Sequence, residues 1–187
     1  MLALAGAGVP MNWNSYLVEQ LDWYWRSMFR PRLEGLSDEE YLWEPTPGCW
    51  TVRSVGHGRY RPDWQWPPPS PPPVTTIAWR ICHIGGPVLG LRANSHFGDS
   101  SLTVETLEWP GTAAAGIAFV DREYAAWKAG VVALGEAGLG EKVGPAEGPF
   151  SESPFAELIL HINREAIHHG AEVALLRDLY RAHDGRS

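Results

Sequence analysis

Cysteine is scarce in this chain. Only Cys49 and Cys82 occur in 187 residues. Two thiols are too few for a disulfide scaffold, so a reducing cytoplasm is the expected compartment. Basic clusters are missing too. Fifteen Lys and Arg face 22 Asp and Glu, for a net charge of −7 with no basic run. That balance argues against a nucleic-acid partner. No apolar run reaches the length of a membrane-spanning helix, so no membrane partner is expected. The opening residues MLALAGAGVP have no basic leader and are short for a signal peptide. Residues 1–10 are therefore expected to be a disordered extension or the product of an early start codon. Residues 11–182 are read as one domain and 183–187 as a tail, a size ample for a real core. No internal repeat is present, and strand signals are few.

Helical periodicity and aromatic residues fill the space that these absences leave. There are ten tryptophans and 16 prolines, and most of the tryptophans precede residue 80. Leu17, Leu21, Tyr24 and Met28 recur at steps of three and four, predicting a first helix from Asn12 to about Arg30 that Pro31 ends. Ser37 with Glu40 three residues on fits a capping box for a short helix through Trp43. Cys49 to Thr75 reads as irregular, apart from a short extended piece at Trp50-Thr-Val. The run DWQWPPPSPPP (63–73) excludes helix and central strand, because its prolines lack donors and hold φ near −65°. It is expected to be a stiff connector. A second helix, capped by Thr75 or Thr76, buries Ile77, Ile81, Ile84, Val88 and Leu91. Pro87 lies inside it, so a kink or bulge is expected beside His83. A third helix runs from Thr112 to about Leu134, with Ile117, Val120, Tyr124, Trp127 and Val131 inward. The fourth follows a glycine-rich connection and a cap at Ser151 or Ser153. The fold class is thus all-α: a four-helix bundle with a long Trp- and Pro-rich excursion between helices one and two.

The fourth helix carries the chemistry, in the run LILHINREAIHHGAEVALLRDLY (158–180). On a wheel of about 100° per residue with Glu165 at zero, His169 falls near 40°, between Leu158 at about 20° and Ile162 at about 60°. Glu172 and His161 flank that stripe, and His168 lies further out. A carboxylate and an imidazole on an apolar stripe are costly unless paired or metal-bound. Their i, i+4 spacing also lets one helix present two ligands to one ion. His83 on the second helix is the best third ligand. Paired core histidines, or a buried Glu–His hydrogen bond, account for the same residues without a metal. His57 and His96 read as loop or helix-end residues, and His183 as part of the tail.

The TIAWRICHIG segment around His83, the HINREAIHHGAEVALLRDLY segment and the LSDEEYLWEP…CW run together resemble the DinB-like superfamily of four-helix-bundle metalloproteins, from about Trp13 to Tyr180. The resemblance implies one metal, held by a histidine of the second helix and a His-x3-His pair of the last. Those positions are His83, residue 165 and His169. Residue 165 is Glu here, which shifts the preference toward harder or mixed-ligand ions. His161 or His168 could take its place. A divalent zinc or nickel ion is the implied cofactor. His161, His168 and Glu172 are candidates for orienting ligands or moving protons.

The resemblance further implies a small-molecule substrate and, for characterised relatives, a low-molecular-weight thiol such as mycothiol. The expected function is a metal-dependent, thiol-dependent S-transferase. A metal-dependent hydrolase is one rival. A non-catalytic helical binding or stress-related protein with a structural polar cluster is another. Apolar and aromatic excess on the outer helix faces is compatible with a homodimer.

Overall fold

In the computed structural model, which describes residues 11–184, the chain is mostly helical. The expectations for residues 1–10 and for 185–187 of the tail lie outside the described residues. Helix α1 covers residues 13–32, and the short α2 is Asp38–Leu42. Strands β1 (Val52–Gly56) and β2 (Arg59–Pro62) follow. Helices α3 (77–97), α4 (Ala113–Gly138) and α5 (Phe155–Asp184) complete the fold. The four long stretches pack side by side, with α4 and α5 both against α1 and α3. Trp25, Phe29, Ile81, Ile84, Val120, Trp127, Ile162 and Val173 sit in the common core. No described helix is long and apolar enough to cross a membrane.

Two of these helices contain a wide turn. In α1 the segment Trp25–Phe29 is π-helical, and Arg30 donates its N–H to the Trp25 carbonyl five residues back. This corrects the expectation for helix one. Pro31 does not end it, because the wide turn has already interrupted the i→i−4 ladder that the proline ring would break. The helix runs on to Arg32. The extra residue also rotates the inner seam. Met28 is half-exposed at 51 %, and Trp25 and Phe29 take its place inside. In α3 the expected distortion is present. Ile84–Gly90 is π-helical around Pro87, immediately after His83, and Leu91 donates to the Gly86 carbonyl.

The excursion between α1 and α3 is more regular than its composition predicts. β1 and β2 form an antiparallel hairpin in which Val52 faces Pro62, Arg53 faces Arg61 and Ser54 faces Tyr60. The turn Gly56-His57-Gly58 has positive φ at all three residues, which two glycines make inexpensive. Asp63 closes the hairpin: it accepts from the Thr51 amide at 3.0 Å and returns its own N–H to the Thr51 carbonyl at 2.8 Å. Trp50 and Thr76 then tie the proline-rich segment to the start of α3, with Trp50 N–H donating to Val74 O and Thr76 N–H to Trp50 O. The all-α expectation therefore lacks one small sheet.

Cap chemistry decides the helix starts. Thr76 accepts from the Trp79 amide and Thr112 from the Ala115 amide. Ser37 accepts from the Glu40 amide, but Glu40 does not reach back to complete a capping box. Its carboxylate is buried instead against Arg177 of α5, at 2.7 and 2.8 Å. At the start of α5 the first amides are taken by backbone carbonyls rather than by Ser151 or Ser153. Phe155 donates to Glu141 O and Ala156 to Leu139 O. Helix α4 breaks at Gly135 (φ 65°), next to its expected end at Leu134.

Candidate metal centre

Helix α5 presents its buried face as an arc rather than a narrow stripe. Leu158, Ile159, Ile162, Asn163, Ala166, His169, Val173, Leu176 and Arg177 are all buried. On the same wheel that arc is centred roughly 90° from Glu165. Glu165 is therefore at the edge of the core, half-buried, where α5 meets α3. An edge position suits a ligand, since it leaves the carboxylate partly solvated yet within reach of the interior.

Across that boundary stands His83, the last residue before the wide turn of α3. The donor atoms of His83, Glu165 and His169 all lie within 4.8 Å of one another. The His83 and His169 rings meet edge to face at 4.7 Å. His169 Nε2 is 3.3 Å from Glu165 Oε2. The structure thus brings together the three residues singled out from the sequence. It also places His168, His169 and Glu172 within reach of a common point. His169 belongs to both groups.

The tautomer of His169 separates them. Its Nδ1 is 2.7 Å from Glu172 Oε2 and 3.2 Å from Arg80 Nη1. A 2.7 Å contact to a carboxylate needs a proton between the atoms, so Nδ1 carries the hydrogen and donates to Glu172. The Arg80 contact is then charge proximity. Arg80 is anchored on the same carboxylate, with Nε 2.9 Å from Glu172 Oε2, although its N–H makes no hydrogen bond there. In the neutral ring Nε2 is left as a lone pair facing Glu165 and His83. A carboxylate that fixes the far nitrogen of an imidazole is the usual support of a metal-ligating histidine.

His83 is prepared differently. Trp79 stacks on its ring at 5.1 Å and 9°. Burial, then the charges of His169, Arg80 and Arg92, lower its pKa to about 3. The imidazole is neutral at physiological pH, as a ligand must be. Among the described residues it makes no hydrogen bond to protein. Cys82, beside it, is inert: burial pushes its thiol up to about 12.

The remaining candidates are placed at different distances from this point. Glu172 holds His169 directly. His168 is exposed; it lies 3.4 Å from Glu172 and its ring meets that of His169 edge to face at 4.9 Å. His161, half-exposed, lies 3.9 Å from Glu165 and takes a contact of 2.9 Å from Arg164. His57 forms the hairpin turn. His96 is buried beside Glu147, which Arg92 also binds. His183 is helical and its ring lies 5.8 Å from Trp43. Sequence reasoning left Arg80 and Trp79 unassigned. The signal was available for Arg80, which lies three residues before His83 and shares its flank of the helix.

The donor set fits a divalent ion. It offers two imidazoles and a carboxylate, with the far side of one imidazole fixed and a cleft over the other. The DinB superfamily profile matches residues 61–173, a span that includes all three donors. No curated protein and no solved structure matches the chain significantly.

Proposed function

The chain belongs to the DinB superfamily, and on that footing we propose that it is a metal-dependent enzyme built on a four-helix bundle, with thiol transfer as its reaction class. The ligands are His83, Glu165 and His169. One observation carries the reading: three donors from two helices converge within 4.8 Å, and the far nitrogen of His169 is already engaged by Glu172. A divalent ion held there supplies Lewis acidity that keeps a small thiol as thiolate, or activates water.

The protein's own residues do the rest. His83 stays neutral and needs no deprotonation before it ligates. Glu172 and Arg80 fix the His169 ring, and Arg80 lies 2.9 Å from the Glu172 carboxylate. His161, on the outer side of Glu165, and His168, on the outer side of Glu172, are the candidates for proton exchange with solvent, His168 being exposed and His161 partly so. Thiol transfer ranks above hydrolysis because the superfamily resemblance carries it. The ligand geometry serves either.

A structural reading has one observation in its favour. The Arg80–Glu172–His169 contacts pair the Glu172 carboxylate and His169 Nδ1 without an ion, although Arg80 Nε finds no hydrogen-bond partner. Metal analysis with His169→Ala separates the two. The metal reading predicts about one zinc or nickel per wild-type chain, lost in the variant while the fold persists. A protein without bound metal, whose melting ignores EDTA, zinc and nickel, contradicts it.

A further inference from the structure

A cleft of about 440 Å³ opens directly on His83. That volume is in the ~300–1,000 Å³ range of small-molecule sites. Trp79, Trp64, Trp109 and Val104 wall it, and Arg61 of β2 stands at its rim. Trp50 backs two of these rings, 5.8 Å from Trp79 and 6.3 Å from Trp64, and Trp79 stacks on His83. The wide turn of α3 admits the opposite wall. A Cβ on Gly86 would stand 2.7 Å from Cζ3 of Trp109, so only glycine leaves that ring its place.

The cleft is apolar but not closed. Trp64 is 63 % exposed and Val104 46 %. Large apolar side chains held at the mouth of a cavity are what an apolar ligand would cover. Arg61 is the single permanently charged residue among the lining residues. Within 4.0 Å it forms no ion pair with any described Asp or Glu. Its planar fork matches a carboxylate. Beside it, the adjoining surface carries Glu105 and Glu108 together with Arg59 and Arg122, and the Arg61 charge is felt at Glu105 without a direct ion pair.

We infer that this cleft takes a flat, apolar, aromatic-sized molecule bearing a carboxylate. The body lies among Trp64, Trp79 and Trp109, and the carboxylate sits on Arg61. Such a molecule would be the substrate of the adjacent metal site. That role rests on the metal-enzyme reading, whereas binding itself needs no ion.

The test uses the full chain, stripped with EDTA so that no ion can capture the carboxylate. 1-Naphthoate and its neutral analogue 1-naphthalenemethanol are titrated by calorimetry. Saturable binding of one naphthoate is expected, with the alcohol about tenfold weaker, the equivalent of one charge-assisted contact. Arg61→Gln should abolish that difference by weakening naphthoate alone. Trp64→Ala should weaken both ligands about fivefold. Both residues are exposed, so the variants should keep the wild-type circular dichroism. No saturable naphthoate binding, equal affinity for acid and alcohol in the wild type, or indifference to both substitutions would overturn the inference. A chain that binds naphthoate but takes up neither zinc nor nickel supports the cleft assignment and removes only the metal reading. A chain that takes up an ion and ignores naphthoate does the reverse.

Discussion

His169 is held by two helices at once, and its value as a ligand depends on which nitrogen is free. Glu172 decides that, since it accepts the Nδ1–H hydrogen bond at 2.7 Å. Glu172→Ala should therefore lower metal affinity about 10- to 100-fold, the usual effect of losing such a support. Glu172→Gln, which retains an acceptor, should lose less. Competition against a chromophoric chelator measures both, and equal affinities for the two variants would contradict the tautomer assigned to His169. His83 yields a second prediction, about pH. Its pKa is lowered on folding, to about 3 from an ordinary value near 6.5. Between those values the unfolded chain binds a proton that the folded chain refuses, so stability falls as pH drops through that window. The loss approaches about 1.4 kcal/mol per pH unit for a single group. In metal-free protein, His83→Phe should flatten the curve of urea midpoint against pH from about 6.5 down to 3. At this scale the sequence was informative where spacing along one helix suffices, as with Glu165 and His169. It was silent on the contact of Arg80 with Glu172, which crosses helices and which no spacing along either helix marks.

The wide turns explain both what could and what could not be foreseen about the elements. Pro87 announced the distortion in α3, because a missing N–H in a helix has a fixed local consequence. Nothing comparable marks Trp25–Phe29, and the seam of α1 was consequently expected to run through Met28 rather than Trp25 and Phe29. The hairpin at 52–62 was hidden because its strands are short and its anchor, Asp63, begins the proline-rich run. The glycines of the α3 turn are packed, not merely permissive. A Cβ on Gly85 would meet the Phe119 ring at 2.4 Å. Gly85→Ala should cost about 1–3 kcal/mol, as overpacking does. Denaturant unfolding checks the size. Because the same turn orients His83, the variant should also bind metal more weakly than a surface Gly140→Ala control.

Across the whole molecule, α2 is fastened to α5 by a buried ion pair. Arg177 and Glu40 are each nearly inaccessible, and Arg177 also donates to the Arg32 and Glu34 carbonyls. Arg177→Met strands a buried carboxylate and should cost about 3–5 kcal/mol. Adding Glu40→Leu should recover part of that loss, and strictly additive losses would contradict a coupled pair. The pair was invisible in sequence because Glu40 looked like a cap residue and nothing local marks its contact with Arg177, 137 residues on. The long amphipathic helices were legible, because their periodicity is local. The position of Glu165 at the edge of the core was not, because it depends on how α5 is rotated against α1, α3 and α4.

The central claim is that His83, Glu165 and His169 hold a divalent ion. Calorimetric titration of EDTA-stripped protein with zinc and with nickel tests it most directly, beside the same titration of His83→Ala and Glu165→Ala. The account predicts one site per wild-type chain for at least one of the two ions, and loss of that site in both variants with the melting profile of the apoprotein kept. Absence of any saturable site in the wild type, or an undiminished site in both variants, would contradict it.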